Sequence, residues 1–179
     1  MFDKLLVLDL DETLIHATTR ELAATPDFEV GPFVVYRRPG VEQFLEYCLG
    51  AFAAVGVWTS STMSYAAEVI EHLVDPKRLH FLWARERCTI RVDPETREYE
   101  YLKDLKKLRR RGFDKRKIIA VDDTPAKFQR SYGNLVRIRA FEGEPEDREL
   151  QVLTRYLQRL GSVPDVRAVE KRFWRTQQP

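Results

Sequence analysis

Two pairs of aspartates stand out in the sequence because each pair follows a short apolar run. Asp9 and Asp11 follow the run KLLVL, and Asp122 and Asp123 follow the run KIIAV. Residues two apart on an extended chain point to the same side, so Asp9 and Asp11 are expected to project together. Carboxylates that lie close together raise one another's pKa unless a cation offsets their charge. All-oxygen ligands favour a hard ion, and a few carboxylates completed by water and phosphate favour Mg²⁺ over Ca²⁺.

Apolar patterning predicts the elements that must position these aspartates. Runs that are hydrophobic on both faces are typical of buried strands in a parallel sheet, and such runs occupy residues 4–10, 52–58, 117–121 and 135–138. Helical spacing is found over 41–49, 63–73 and 145–160, and further helices are predicted over 103–111 and 163–174. Strands that alternate with helices predict a Rossmann-like open parallel α/β sheet. A small β-hairpin flap is predicted over 28–36.

The carboxyl ends of the strands meet at one edge of such a sheet, where open α/β proteins bind ligands. Thr13 comes just after the first strand, Thr59 ends the second, and Lys103 is predicted to open the helix before the third. An Asp-x-Asp sequence by itself is often an ordinary strand-end turn. Its combination with Thr59, Lys103 and the later aspartate pair, in that order, favours a functional site over a set of turns.

The composition limits the classes of protein to consider. The chain has 179 residues and a mass of 21.1 kDa, which predicts a single domain over residues 1–179. The aromatic content of 11% argues against disorder, and the charged content of 32% argues against a membrane protein. A net charge of +2 requires no nucleic-acid or lipid partner. We expect no signal peptide and no disulfide framework, and we predict a cytoplasmic location.

The combined motifs resemble the haloacid dehalogenase (HAD) superfamily of aspartate-nucleophile phosphatases. More narrowly, they resemble the FCP/SCP-like, or NLI-interacting-factor-like, family of small C-terminal-domain phosphatases. The segments with counterparts in that family are 8–14 (LDLDETL), 38–45 (RPGVEQFL), 58–61 (WTSS), 103–105 (KDL) and 121–125 (VDDTP). The family usually has Asp-Asn-Ser-Pro where this chain has Asp-Asp-Thr-Pro, and the change adds a negative charge at the metal site. The resemblance implies a HAD fold with no large cap domain.

The resemblance also implies a Mg²⁺-dependent phosphomonoester hydrolase that works through an aspartyl-phosphate. Asp9 would be the nucleophile, and Asp11 would protonate the leaving oxygen and then activate water. Thr59 and Lys103 would contact the phosphoryl group, and Thr13 belongs to the same predicted catalytic set.

The predicted metal ligands follow from the same resemblance. Mg²⁺ would be held by Asp9, by the carbonyl of Asp11 and by a carboxylate of the later pair. The family pattern implies that Asp123 is the direct ligand and that Asp122 lies behind it. The substitution in this chain leaves the order of these two residues open.

The predicted substrate is a phosphorylated protein or peptide. An open site favours macromolecular substrates, whose affinity comes from groups beyond the phosphate. Phosphoserine or phosphothreonine is expected, and an open mouth also admits phosphotyrosine. Two alternatives stay open: a small-molecule phosphatase of the same superfamily, and a non-catalytic phosphoprotein-binding module of the same fold. A response-regulator receiver domain is excluded, because its acidic pair comes early and its lysine last, whereas here the later pair follows Lys103.

Two segments allow two interpretations each. The apolar flap residues either line a substrate groove beside Asp9 or pack on the body of the protein; they are Phe28, Val30, Phe33, Val35 and Tyr36. Residues 101–118 include nine lysines and arginines, and we favour a solvated face there over a docking patch for acidic partners. The oligomeric state is not indicated by the sequence.

Overall fold

Strand β1 (Phe2–Leu8), the first apolar run, lies at the centre of a five-stranded parallel sheet. A computed structural model describes residues 1–176 of the protein. Strands β5 (Phe52–Trp58) and β6 (Phe81–Trp83) lie on one side of β1, and β9 (Ile118–Asp122) and β10 (Leu135–Arg137) lie on the other. The direction of strand addition therefore reverses between β1 and β9. Such a switch point is where open α/β sheets bind ligands.

Alternate residues of β1 enter two apolar cores, one on each face of the sheet. The helices are α1 (Val41–Ala51), α2 (Met63–Leu73), α3 (Lys106–Arg109) and α4 (Glu149–Gly161). Leu6 and Leu8 lie in the core that α1, α2 and α4 share, whereas Leu5 and Val7 lie in the core that contains Leu108 of α3. Both faces of the strand are covered, which explains why KLLVL is apolar throughout. The predicted α/β sheet is confirmed.

The predicted flap is confirmed as a hairpin of β3 (Phe28–Val30) and β4 (Phe33–Arg37). Strand β2 (Ile15–Thr18) pairs with β4 and makes the flap a three-stranded antiparallel sheet. Gly31 has a φ of 56°, a left-handed conformation that glycine adopts easily at the turn. A second hairpin joins β7 (Thr89–Val92) to β8 (Tyr99–Leu102). Neither of these two small sheets is a large cap domain, and the described residues 1–176 contain no other sheet besides the central one.

The helix predicted over 103–111 is much shorter in the structure. Lys103 does not open it: this residue lies between β8 and α3, and α3 is about one turn long. The local helical pattern therefore overstated the helix, and Lys103 is positioned by a loop.

The terminal helix predicted over 163–174 is wrong. This segment contains short 3-10 turns at Val166–Ala168 and Trp174–Thr176. Nζ of Lys171 donates hydrogen bonds to three backbone carbonyls, those of Gly133, Val166 and Val169. The side chain thus satisfies the carbonyl groups of Val166 and Val169, which a helix over this segment would have paired internally. Separately, no helix within residues 1–176 combines the length and apolar character needed to cross a bilayer.

Candidate active site

Asp9 and Asp122 lie side by side at the ends of neighbouring strands. Strands β1 and β9 pair in register, with Leu8 opposite Val121, and the amide of Asp9 donates to the carbonyl of Val121 at 3.0 Å. The side chains of Asp9 and Asp122 are 1% and 0% exposed. Carboxylate oxygens of Asp9, Asp122 and Asp123 all lie within 4.8 Å of one another. The structure therefore brings Asp9 and Asp122, the first residue of each aspartate pair, together at the predicted edge of the sheet.

This group of three carboxylates suits a hard divalent cation. Its donors are all oxygen atoms, and the partial exposure of Asp123 leaves room for water or phosphate as further ligands. The donor set therefore fits Mg²⁺. The carboxylate of Asp11 is not in the group, and its expected contact through the carbonyl stays a prediction. The order of Asp122 and Asp123 as ligands also stays a prediction.

Lys103 bridges the two buried aspartates. Its Nζ lies 2.6 Å from Oδ1 of Asp9 and 2.5 Å from Oδ2 of Asp122, and its side chain is fully buried. The amide of Lys103 donates to the carbonyl of Lys127 at 2.8 Å. The loop after β8 thus holds Lys103 in the site, as expected from the sequence but without the predicted helix.

Lys127 brings a second ammonium group into the site, and the sequence motifs do not predict its presence there. Its Nζ lies 2.9 Å from Oδ2 of Asp9, 3.5 Å from Oδ1 of Asp122 and 3.9 Å from Oδ1 of Asp123. Lys127 belongs to a 3-10 turn, Pro125–Phe128, that follows the aspartate pair. The available signal was a lysine four residues after Asp123, and this spacing reaches the carboxylates because the turn folds back on them.

The pKa values of the two buried aspartates are shifted in opposite directions, although the same two lysines contact both. Burial alone would raise the pKa of Asp9, but Lys103 and Lys127 together lower it below its ordinary value. Burial and then the neighbouring Asp9 raise the pKa of Asp122 to about 7. Burial would lower the pKa of Lys127, but Asp9 and Asp122 raise it, so this side chain remains an ammonium ion. Asp9 is consequently held as a carboxylate, the form that a nucleophile requires.

Asp11 is held by hydroxyl groups rather than by lysines. Its Oδ2 accepts hydrogen bonds from Oγ of Ser61 at 2.7 Å and from Oγ1 of Thr59 at 3.1 Å, and its Oδ1 accepts one from the hydroxyl of Tyr65 at 2.7 Å. Burial and the charge of Asp11 raise the pKa of Tyr65, so its hydroxyl stays a donor. The sequence pattern indicates Thr59 as a site residue but not Ser61 or Tyr65. The three donors orient Asp11 independently of the carboxylate group around Asp9.

The turn after β1 contains Glu12 and Thr13. Glu12 has a left-handed φ of 55°, which is uncommon for a residue with a side chain. Burial and then the charges of Asp11 and Asp123 raise the pKa of Glu12 to about 7. Thr13 is fully buried, and its hydroxyl forms no hydrogen bond with other residues in 1–176. The structure therefore does not join the side chain of Thr13 to the other predicted catalytic residues.

The flap combines the two interpretations of its apolar residues. Three of them are buried against the body of the protein: Val30, Val35 and Tyr36. Phe28 stacks on His72 with ring centroids 4.2 Å apart. Phe33 is partly exposed, and its ring meets the ring of Tyr65 edge-on at 5.7 Å. Because Tyr65 also bonds Asp11, Phe33 is the flap residue that connects most directly with the site.

Sequence comparison decides the family. A model of the NLI interacting factor-like phosphatases matches residues 4–167. The chain belongs to this family. Its sequence is 34% identical over 174 residues to a probable C-terminal domain small phosphatase of Dictyostelium discoideum, a match that covers 93% of this chain and 53% of that protein. It is 31% identical to CTD nuclear envelope phosphatase 1 of Xenopus laevis, over 94% of this chain and 72% of that protein. This NLI interacting factor-like chain spans about half the length, or less, of several of the curated relatives that it matches.

A solved structure supports the same fold. The structure of Fcp1, described as an essential RNA polymerase II CTD phosphatase, matches with a TM-score of 0.66 at 18% identity. The match covers 89% of this chain and 62% of that one. At this identity the similarity concerns the fold, and it confirms the HAD fold expected from the motifs.

Proposed function

We propose that this chain is a Mg²⁺-dependent phosphomonoester hydrolase that acts on phosphorylated proteins or peptides. The observation that carries the proposal is the buried carboxylate of Asp9, kept ionised between Lys103 and Lys127. Asp11 lies two residues away and is oriented by its own set of donors. Membership of a phosphatase family supports the same reaction.

The reaction would proceed in two steps that use the two aspartates differently. A carboxylate oxygen of Asp9 attacks the phosphorus, the bond from phosphorus to the substrate oxygen breaks, and an aspartyl-phosphate forms. Asp11, which takes up a proton when the phosphate dianion binds beside it, donates this proton to the departing oxygen and later takes one from the attacking water. Water then displaces Asp9 from the phosphorus, which releases phosphate and restores both carboxyl groups to their starting states.

Positioning of the reacting groups and positive charge around the phosphoryl group are the main requirements of such a reaction. Lys103 contacts both Asp9 and Asp122 and offsets part of their negative charge before the substrate binds. The hydroxyl of Thr59, which donates to Asp11 in the structure, would turn to a phosphoryl oxygen. Bound Mg²⁺, held by Asp9, the carbonyl of Asp11 and a carboxylate of the later pair, would supply further positive charge. Lys127 offsets the additional negative charge that Asp123 brings to this chain.

Phosphoserine or phosphothreonine in a flexible segment is the proposed substrate class. The small flap leaves Asp11 and Asp123 partly exposed, so a peptide chain has access to the site. An apolar neighbour of the phosphoresidue would contact Phe33 beside Tyr65. The curated relatives that are named C-terminal domain phosphatases support a protein substrate. The predicted single domain and the cytoplasmic location stay predictions.

The test is a Mg²⁺-dependence assay with an aryl phosphate, a phosphopeptide panel and common phosphometabolites. Asp9→Asn should lower turnover by roughly 10⁴-fold or more, since the nucleophile is lost while the side-chain shape is kept. Asp75→Asn, an exposed cap of another turn, is the matched control and should retain activity.

Each alternative has its own outcome in this assay. Substantial turnover by Asp9→Asn, or full activity in excess chelator, would contradict the mechanism. A phosphometabolite preferred by tenfold or more in kcat/KM would indicate a small-molecule phosphatase. Tight phosphopeptide binding by the wild-type chain without hydrolysis of any substrate would indicate a binding module.

A further inference from the structure

A basic groove starts at the active site and runs along the edge of the central sheet. It has a volume of about 1060 Å³ and is lined by residues of the segments 132–140 and 167–175 together with Asp123. Strand β10 is the edge strand, and Arg137 is the register partner of Asp122. Neighbouring strands lie about 4.8 Å apart, so the basic groove begins next to the buried aspartates.

The basic groove has more positive charge than its own acidic groups balance. Its basic residues are Arg137, Arg139, Arg167, Lys171, Arg172 and Arg175, and its acidic residues are Asp123 and Glu170. Arg172 pairs with Glu170, Arg175 pairs with Glu149, and Lys171 bonds backbone carbonyls. Arg137, Arg139 and Arg167 are exposed and form no ion pair with other residues of the described chain, 1–176. Three guanidinium groups are therefore available to an anion.

The positive surface continues beyond Arg167. A second depression, of about 810 Å³, shares Arg167 and is also lined by Lys106, Arg109, Arg110 and Lys115. Burial and then the charges of Arg167 and Arg109 lower the pKa of Lys115. Like charges this close repel one another, and a bound anion would relieve the repulsion. Residues 163–176 are called the C-terminal tail. Arg167 of this tail connects the basic groove with the basic segment 101–118, which the sequence favours as a solvated face, so the two form one larger positive surface.

We propose that the basic groove binds a second anionic group of the substrate, on the same peptide as the phosphate that is hydrolysed. This inference rests on the proposed phosphatase function. A guanidinium group binds a phosphate through two parallel, charge-assisted hydrogen bonds, which favours a second phosphoresidue over a carboxylate side chain. Arg137 lies one strand away from Asp122, and an extended peptide advances about 3.3 Å per residue, so a second anion a few residues from the reacting phosphate can reach the groove.

The test measures peptide binding by fluorescence anisotropy with the Asp9→Asn chain, which needs no turnover. The labelled peptides have one phosphoserine, alone or with a second phosphoserine or a glutamate placed two, four or six residues away on either side. In at least one position the second phosphate should tighten binding about tenfold, and the glutamate should tighten it less.

The variant Arg137→Gln/Arg139→Gln/Arg167→Gln, added to the Asp9→Asn chain, should reduce this gain to less than about twofold. The control Arg20→Gln/Lys77→Gln/Arg97→Gln removes the same charge from exposed positions outside the groove and should keep the gain. If the triple variant is unstable by circular dichroism, Arg139→Gln alone should show the loss at smaller amplitude.

Several results would overturn the inference. One is that the second phosphate tightens binding at no position. Another is that the gain in affinity survives the groove substitutions. A third is that the control variant loses as much of the gain as the groove variant does. Displacement of the doubly phosphorylated peptide by a single-stranded oligonucleotide at a lower concentration than by unlabelled peptide would also overturn it, and would indicate a polynucleotide site. Turnover of an aryl phosphate separates the two proposals: a binding gain without any turnover refutes only the proposed function, and turnover without a gain refutes only the groove.

Discussion

The ammonium group of Lys127 lies 2.9 Å from Oδ2 of Asp9, while Lys103 lies 2.6 Å from Oδ1 of the same carboxylate. One lysine therefore contacts each oxygen of the proposed nucleophile. Because Asp9 and Lys103 are fully buried and Lys127 is largely buried, these attractions are stronger than the same contacts would be in water. Lys127 also lies near Asp122 and Asp123, so it contacts all three carboxylates that are suited to Mg²⁺.

Lys127→Met should therefore tighten Mg²⁺ binding. The substitution removes a competing cation from the carboxylate group and keeps a side chain of similar length. We expect the Kd for Mg²⁺, measured by isothermal titration calorimetry, to fall about tenfold, which corresponds to about 1.4 kcal/mol. In chelator, Lys127→Met should unfold at a lower temperature than wild type, since Asp9 then has one cation fewer. Lys77→Met, at an exposed position, is the control, and an unchanged Kd in Lys127→Met would show that the ammonium group does not compete.

Tyr65→Phe should lower turnover while leaving the flap contact in place. The substitution removes one of three hydroxyl donors to Asp11 and keeps the ring that packs against Phe33. A hydrogen bond to a charged group is worth about 1.5–3 kcal/mol, and Asp11 is charged when it acts as the base toward water, so we expect kcat for an aryl phosphate to fall by about tenfold or more. Phe33→Ala is the complementary variant and should mainly raise KM for phosphopeptides. Equal effects of both variants on kcat and KM would argue against these separate roles.

Glu12→Gln should stabilise the metal-free protein at pH 8. Burial and then Asp11 raise the pKa of Glu12 from 4.5 to about 7, so the folded protein retains this proton to a higher pH than the unfolded chain does. Ionisation of Glu12 consequently lowers the free energy of unfolding as the pH rises from 4.5 through about 7. In chelator, the Tm difference between Glu12→Gln and wild type should be small near pH 4.5 and reach a plateau above pH 7.

Two comparisons check that the charge of Glu12 is the cause. Added Mg²⁺ should shrink the Tm difference at pH 8, because positive charge offsets the surrounding carboxylates. Glu29→Gln, on the exposed side of the flap, should show no such pH dependence. The same Tm difference at pH 4.5 and pH 8 would refute the assignment.

Asp147→Ala should destabilise the fold by breaking a buried ion pair. Nε and Nη2 of Arg38 donate to the two carboxylate oxygens of Asp147 at 2.9 and 2.8 Å, and the Arg38 side chain is fully buried. Removal of the Asp147 carboxylate leaves the buried guanidinium of Arg38 without its partner. The free energy of unfolding, measured by urea denaturation at pH 7, should therefore fall by about 3 kcal/mol. Glu46→Ala breaks the exposed pair with Arg78 and should cost about 1 kcal/mol or less.

The same pair predicts a pH dependence of stability. Burial would raise the pKa of Asp147, but Arg38 brings it below the ordinary value of 3.8. The stabilisation is therefore present above pH 3.8 and is lost as the pH falls below that value. The difference between wild type and Asp147→Ala should narrow when urea unfolding is repeated at about pH 3, and a constant difference would contradict this assignment.

The sequence by itself determined the central sheet and the proposed nucleophile's place on it. Strand β1 and strand β9 are apolar on both faces, a local pattern that follows directly from burial on two sides. The position of Asp9 and Asp122 at the ends of these strands follows from the same pattern, because parallel strands end at one edge. Lys103 was also identified, although it lies in the loop ahead of helix α3 and does not open the helix as predicted.

The tertiary structure alone decided which distant side chains meet. Lys127 reaches Asp9 through a 3-10 turn, Tyr65 reaches Asp11 from helix α2, and Arg167 joins the basic groove from the tail. The tail does not form the predicted helix: the carbonyls of Val166 and Val169 accept hydrogen bonds from Lys171, which also donates to the carbonyl of Gly133. The periodicity of apolar residues indicates which face of a helix or strand is buried. The contacts of Lys127, Tyr65 and Arg167 depend instead on how turns and loops fold back onto the edge of the sheet.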